Sequence, residues 1–453
     1  MDEKSCLNCY HCEKGVAGHV TAEMYLRAKA EGRIPEEWFT SAGVNCVDCY
    51  QCQKCVTDQQ GRGSQGLPEV SYFLFLTNDC NLRCTYCYAT KKPIVATHAM
   101  LEQLRIFLTE EEDKRLGDHS LNIQFFGGEP TIEWENLTWF VENFSAYYEK
   151  LHPGRKVRWG MTTNATLLNS ERLEWLKKWS IQPLLSIDGR PETHDHHRKT
   201  VGGGGSHHLI PLDLILKYFP TPEIRPTITP DTIEDWVADL RWFYAKGLYI
   251  VATEVAYEAD WTDEKMEIAR QVYKKLADIY VERRRAGLPV WMKFIEDGLG
   301  FLGSDKQTGY VCGIARGLMA IDASGKIYAC QRYASFSHPE LAIGDIWKGF
   351  DEHKLAWTQE LKREDMFPDP KSGFNCDDCV ARWSCRGGCN AMNFQINGDR
   401  RMILASHCKF HRMWAEIALT ALARTGELWG KKYSKPSACE DQPKKEKVDE
   451  TNV

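Results

Sequence analysis

No stretch of this chain approaches the ~18–20 consecutive apolar residues of a membrane span. The opening residues, MDEKSCLNCYHCEK, are polar from the start and do not read as a secretory signal. Both absences point to a cytoplasmic protein with no membrane partner. Charge of one sign is also scarce. Lys and Arg number 57 against 63 Asp and Glu, and the net charge of −6 is spread along the chain. Nothing resembles a basic face for nucleic acid. The run GGGG at 202–205 lacks the Lys-Ser/Thr of a phosphate-binding loop and reads as a mobile loop. Cysteine is missing altogether between residues 88 and 311, although the chain has 18 of them.

The cysteines that are present are bunched. Seven lie in residues 6–55, three in 80–87, seven in 312–408, and Cys439 stands alone before the charged tail KKEKVDETNV, which reads as disordered. Repeated C-x2-C spacing in a long chain without a secretory signal points to metal ligation, not to a disulfide framework. The stretch DCNLRCTYCY spaces Cys80, Cys84 and Cys87 as C-x3-C-x2-C and stops at three. A structural zinc site and a ferredoxin cluster both want four ligands. Three thiolates leave one coordination position open, where chemistry can happen.

The cysteine-free middle alternates strands with helices. VSYFLFL (70–76), LNIQFF (121–126), VRWGMTT (157–163), PLLSID (183–188), IRPTIT (224–229) and YIVATEV (249–255) are of strand length, separated by helical patterns such as NLTWFVENFSAYYEKL. This is an α/β pattern. Six β-α units joined by right-handed crossovers wind into a closed or three-quarter barrel, with the site at the C-terminal ends of the strands. The motifs fall there. After the first strand comes the three-cysteine loop. After the second come Gly127, Gly128, Glu129 and Pro130, where two glycines let backbone approach a ligand and the carbonyls or Glu129 can receive an ammonium group. After the third come Thr163 and Asn164. After the fourth come Ser186 and Asp188, suited to ribose hydroxyls, and Arg198, suited to a carboxylate.

C-x3-C-x2-C after one strand followed by GGEP after the next resembles a radical SAM enzyme, over residues 70 to about 300. The resemblance implies that Cys80, Cys84 and Cys87 hold a [4Fe–4S] cluster whose fourth iron binds the amino and carboxyl groups of S-adenosylmethionine (SAM). An electron then cleaves SAM to methionine and a 5′-deoxyadenosyl radical that abstracts hydrogen from substrate. Tyr86, Gly127, Gly128, Glu129, Pro130, Thr163, Asn164, Ser186, Asp188 and Arg198 become SAM contacts. Cys312-x12-Gly325-x4-Cys330, then Cys376-x2-Cys379-x5-Cys385-x3-Cys389, then Cys408, resembles a SPASM domain carrying two auxiliary [4Fe–4S] clusters. The resemblance assigns Cys376, Cys379, Cys385 and Cys408 to the distal cluster, and Cys312, Cys330 and Cys389 to the proximal one. No cysteine lies in 300–311, so the fourth proximal ligand is open among Asp305, a distant cysteine, water and a substrate thiolate.

The resemblance extends to enzymes that modify peptides and proteins, among them thioether- and crosslink-forming maturases and sulfatase-maturating enzymes. The latter place an aspartate after the second SPASM cysteine. Here Cys330 is followed by Gln331, with Arg332 and Tyr333 as candidate catalytic side chains. The implied partners are a peptide or protein substrate and a low-potential electron donor of flavodoxin or ferredoxin type. Acting on a small molecule is an alternative, and so is an Fe–S electron carrier without a reaction of its own.

The expected domains are a Cys-rich module at 1–66, a radical SAM partial barrel at 67–308, a SPASM domain at 309–428 and a tail at 429–453. Cys6, Cys9, Cys12, Cys46, Cys49, Cys52 and Cys55 in the first module suit a further Fe–S cluster or zinc. His194, His196 and His197 read as loop side chains beside the SAM site, not as a ligand set.

Overall fold

A computed structural model describes residues 69–296, 312–336, 338–382 and 385–425. The expectations for the N-terminal cysteines, Asp305 and the tail lie outside these residues.

The first strand, β1 (Glu69–Phe75), buries Val70, Tyr72 and Leu74 on alternate positions. It pairs in parallel with β2 (Ser120–Phe126) over seven residues. Parallel neighbours β3 (Arg158–Thr163), β4 (Pro183–Leu185), β5 (Glu223–Ile224), β7 (Ile250–Val251) and β9 (Trp291–Met292) follow in order. Helices between them cover the outer face: α1 (His98–Ile106), α2 (Trp134–Leu151), α3 (Ser170–Lys178), α4 (Pro191–His197), α5 (Leu212–Tyr218), α6 (Trp236–Ala245) and α7 (Asp263–Arg285). Thr97, Asn169 and Thr262 cap α1, α3 and α7 with their side-chain oxygens, as N-cap residues do.

All six expected strands are present, with two broken. Residues 224–229 split into β5 and β6 (Thr227–Ile228), because Pro226 has no N–H to donate. Residues 249–255 split into β7 and β8 (Glu254–Val255), and β6 and β8 pair as a separate two-stranded ladder. Among the described residues the sheet does not close. Beyond β1 it continues into β10 (Leu318–Ile321), parallel to β1, and then antiparallel through β11 (Lys326–Tyr328), β12 (Gly344–Asp345) and β13 (Gly349–Phe350). The architecture is therefore a partial barrel whose first edge is taken up by the C-terminal region.

The β10–β11 hairpin has its own local cause. Asp322 Oδ1 accepts from Ser324 N, Ser324 Oγ and Lys326 N, and Gly325 takes φ +85°. The C-terminal helix α11 (Ala405–Arg424), which follows the short helices α8 (Gln331–Ser335), α9 (Glu352–Gln359) and α10 (Asn390–Asn397), lies along α7. Lys409–Asp263 and Arg270–Glu416 ion pairs run along that seam. Buried Phe410 packs edge-on to Trp261 at 4.7 Å.

Candidate active site

The cysteine loop leaves β1 and is held from three sides by backbone hydrogen bonds. Gly128 N donates to Thr77 O at 3.1 Å, and Glu129 N to Asp79 O at 3.0 Å. Arg83 N donates to Lys199 O, and Thr85 N to His197 O. Asn78 N donates to Ile94 O. The glycine pair is explained by the first two of these contacts. A Cβ on Gly128 would lie 1.7 Å from Asp79 O, and one on Gly127, at φ +116°, 2.5 Å from Thr77 O. The close approach that needs glycine is therefore made to the cysteine loop itself.

Glu129 is fully engaged by the protein. Its Oε1 accepts from Thr131 N, Thr131 Oγ1 and Thr163 Oγ1 at 2.6–3.1 Å, and its Oε2 from Asn164 N at 2.8 Å. Burial raises its pKa, and the four hydrogen bonds partly offset that. The carboxylate thus ties the loop after β2 to the end of β3. Asn164 reaches on to the cysteine loop through Asn81 Oδ1 at 2.8 Å, and Asn81 Nδ2 donates to Thr166 Oγ1.

Asp188 and Arg198 also face each other. Arg198 Nη2 donates to Asp188 Oδ1 at 2.9 Å with both side chains buried. Thr227 N donates to the same oxygen, and Tyr86 OH to Oδ2 at 2.6 Å. Desolvation of the carboxylate is outweighed by Arg198, so its pKa falls below the usual range. A ribose contact in this wall is then available from Ser186, which is half-buried beyond β4 with its N–H on Thr163 O. Tyr86 links the cysteine loop to this ion pair.

The histidines buttress the same loop. His197 uses one ring nitrogen on Thr85 Oγ1 (2.6 Å) and the other on Thr229 Oγ1 (2.8 Å). His194 takes Asp188 N and Ser206 Oγ. Among the described residues, His196, His197 and Asp231 are the one trio of His, Cys or carboxylate donors within 4.8 Å of one another. Both His197 nitrogens are already hydrogen-bonded, and the three histidines, expected on a loop, lie instead on the short helix α4, which begins at Pro191. The GGGG segment forms a turn in which Thr200 N donates to Gly204 O.

The ten described cysteines are free thiols and fall into three groups by their mutual electrostatic influence. Cys84 feels Cys87 and Cys80 feels Cys84; Cys330 feels Cys389 and Cys312; Cys408 feels Cys385, Cys376 and Cys379. The resemblance divides them in the same way. No three of these sulfurs lie within 4.8 Å. Burial pushes the Cys80 and Cys312 thiols up to about 11 and Cys330 and Cys408 to about 12. Ligation by a metal group is what deprotonates such thiols.

Arg332 and Tyr333 sit on α8 just after Cys330, both buried. Arg332 pairs with Glu258 at 2.6 Å and lies 4.0 Å over the ring of Tyr88, the residue after Cys87. Thr90 N donates to Ser335 O. Tyr333 packs against Phe336 and Phe394. The cysteine loop of the barrel and the helix that follows Cys330 are thus one packed unit. Sequence reasoning missed Glu258, Lys91 (3.1 Å from Cys87 Sγ) and Thr85. None carries a local signal, since each acts through a partner brought in by the fold.

Residues 74–243 match the family model described as the radical SAM superfamily. The chain is 22% identical over 370 residues to a cysteine-type anaerobic sulfatase-maturating enzyme of Clostridium perfringens (strain 13 / Type A), covering 76% of this chain and 95% of that one. It is 27% identical over 327 residues to mycofactocin maturase MftC of Mycolicibacterium smegmatis, covering 70% and 77%. The structure of native anSMEcpe with bound AdoMet superposes with a TM-score of 0.62 at 17% identity, covering 76% of this chain and 96% of that one, and so has the same fold. With three free cysteines on the loop after β1 and the glycine pair seated against it, residues 74–243 are a radical SAM domain.

Proposed function

We propose that this radical SAM enzyme modifies a side chain of a peptide or protein, forming a thioether or other crosslink in a ribosomally made peptide, with auxiliary Fe–S clusters on its C-terminal cysteines. The observation that carries the reading is the packed unit described above. Tyr88 under Arg332 and Thr90 on Ser335 put the SAM-cluster loop directly against the helix that begins at Cys330. A substrate bound beside this contact would meet both.

When bound, the cluster and SAM supply a 5′-deoxyadenosyl radical that takes a hydrogen atom from substrate. The chain does the rest. Cys80, Cys84 and Cys87 would provide three thiolates, and the main-chain carbonyls of 127–130 or Glu129 would receive the SAM ammonium. Ser186 meets the ribose, while the Asp188–Arg198 pair, fixed by Tyr86, forms the wall behind it. Cys312, Cys330 and Cys389 would hold the proximal auxiliary cluster, and a substrate thiolate would complete its ligand set. The second reading, oxidation of a protein side chain, is favoured by the likeness across 95% of a sulfatase-maturating relative. Gln331 in place of an aspartate after Cys330 weighs against it.

Iron and sulfide analysis of anaerobically reconstituted protein tests the cluster assignment. Three [4Fe–4S] units require about twelve irons per chain. More iron, or one or two zincs, would come from residues 1–66. About four irons would mean that the C-terminal cysteines hold no clusters and would remove the thioether reading with them.

A further inference from the structure

The inner face of the barrel mouth carries a charge arrangement that neither SAM binding nor cluster ligation uses. Leu185, Ile224, Val251 and Met292 are in register across β4, β5, β7 and β9, and all four are buried. They face the helices. The residues that immediately follow these strand ends are Ser186, Arg225, Ala252 and Lys293; Arg225 N still donates to Leu185 O and Ala252 N to Ile224 O, and Lys293 begins a helical segment. Ser186 belongs to the proposed SAM wall, and Arg225 and Lys293 lie at the same C-terminal ends of the strands, further round the sheet.

Both cations converge on one carboxylate oxygen. Arg225 Nη1 donates to Glu254 Oε1 at 2.7 Å, and Lys293 Nζ contacts the same atom. Among the described residues, the ion pairs of Arg225 and Lys293 run to Glu254 alone. Two positive charges on one negative charge leave the trio at +1. Arg225 Nε is buried without a hydrogen-bond partner. The three side chains remain about one-third exposed, at 35%, 31% and 37%. The neighbouring His411 adds no charge, because burial, then Lys293, hold its pKa down to about 4. An unmatched cation with a spare guanidinium donor, half-open to the mouth, is complementary to an anion with paired oxygens.

We propose that Arg225 and Lys293 form a carboxylate-binding site at the barrel mouth, with Glu254 holding both cations until the ligand arrives, and that it takes an acidic side chain or the chain-terminal carboxylate of the substrate. Assigning that carboxylate to a substrate rests on the peptide-modifying reading, whereas the binding itself does not. The site would choose among peptides by a charge placed at a fixed distance from the reacting side chain.

The test is ligand-observed NMR on the full reconstituted chain under anaerobic conditions. The probes are N-acetyl-aspartyl-methylamide, its asparaginyl counterpart and N-acetyl-alanine, whose carboxylate is terminal. The aspartyl probe should bind and the asparaginyl probe should not. Stronger binding of N-acetyl-alanine would identify the source as a chain terminus. R225Q and K293Q should each weaken the acidic probe about tenfold, the loss of one charge-assisted hydrogen bond. E254Q removes the competing carboxylate and should tighten the probe severalfold, a gain that misfolding cannot mimic. Equal binding of the aspartyl and asparaginyl probes, or weaker binding in E254Q, overturns the proposal. So does displacement of the aspartyl probe by SAM, which would give the site to SAM's own carboxylate. Selective acid binding without turnover of any peptide would instead retain the site and count against the peptide-modifying reading.

Discussion

Replacing Gly128 by alanine should uncouple folding from cluster loading. The new Cβ would stand 1.7 Å from Asp79 O, and acceptable contacts begin at 3.0–3.4 Å. The loops must therefore separate by roughly 1.5 Å, the difference between 1.7 Å and about 3.2 Å. Both contact atoms are backbone, so no rotamer change relieves the clash. A shift of that size breaks the bonds from Gly128 N to Thr77 O and from Glu129 N to Asp79 O. Two lost backbone hydrogen bonds with buried partners cost about 2–4 kcal/mol. The β-α core is untouched, so the chain should still fold, with a lowered melting temperature. The damage is focused on residues 77–80, where Cys80 begins the ligand set. Iron content of the SAM site should fall, and SAM cleavage should drop by at least about a hundredfold, since displacements near 1 Å suffice for that. Gly202→Ala, whose Cβ meets nothing nearer than Thr200 Oγ1 at 3.9 Å, is the matched control. If Gly128→Ala loads iron and cleaves SAM like the control, the packing account of the GGEP loop is wrong.

Asp188→Asn should leave the Arg198 guanidinium buried without its counter-charge. Breaking one side of a buried pair costs about 3–5 kcal/mol, so thermal unfolding should move down on the order of 10 °C; an unchanged melt would show that Tyr86 and solvent suffice to hold Arg198. Acid should destabilise the fold through His194 and His411, whose pKa values burial lowers to about 3 and about 4. Between pH 6.5 and 4 the unfolded chain takes up these protons and the folded one does not, so their contribution is complete above pH 6.5. It is lost at up to ~1.4 kcal/mol per pH unit for each group as pH falls. Urea titrations at pH 7 and pH 5 measure this, and equal midpoints would contradict it.

Much of the site was legible because its signals are local. C-x3-C-x2-C, GGEP and alternating strand and helix patterns each lie within a few residues, and all three place the chemistry at strand ends. What these residues do to one another was not legible. Asp188 meets Tyr86 across 102 positions, and Thr163 meets Glu129 across 34. Such pairings follow from strand order, which periodicity does not specify. Glu129 and Asp188 were therefore read only as ligand contacts, although their oxygens also join neighbouring loops. The β10–β11 hairpin was missed although its turn signal, Asp322-Ala323-Ser324-Gly325 between two apolar runs, is present. The cysteines flanking the hairpin drew attention to metal ligation instead. That hairpin decides the shape of the sheet, because β10 takes the edge of β1 that a closed barrel would use.

The central claim is that Cys80, Cys84 and Cys87 hold the group that cleaves SAM. Anaerobically reconstituted protein, reduced with dithionite, should convert SAM to 5′-deoxyadenosine and methionine, and Cys84→Ala should reduce the yield to background while leaving iron on the C-terminal cysteines. Undiminished 5′-deoxyadenosine from Cys84→Ala would contradict the account.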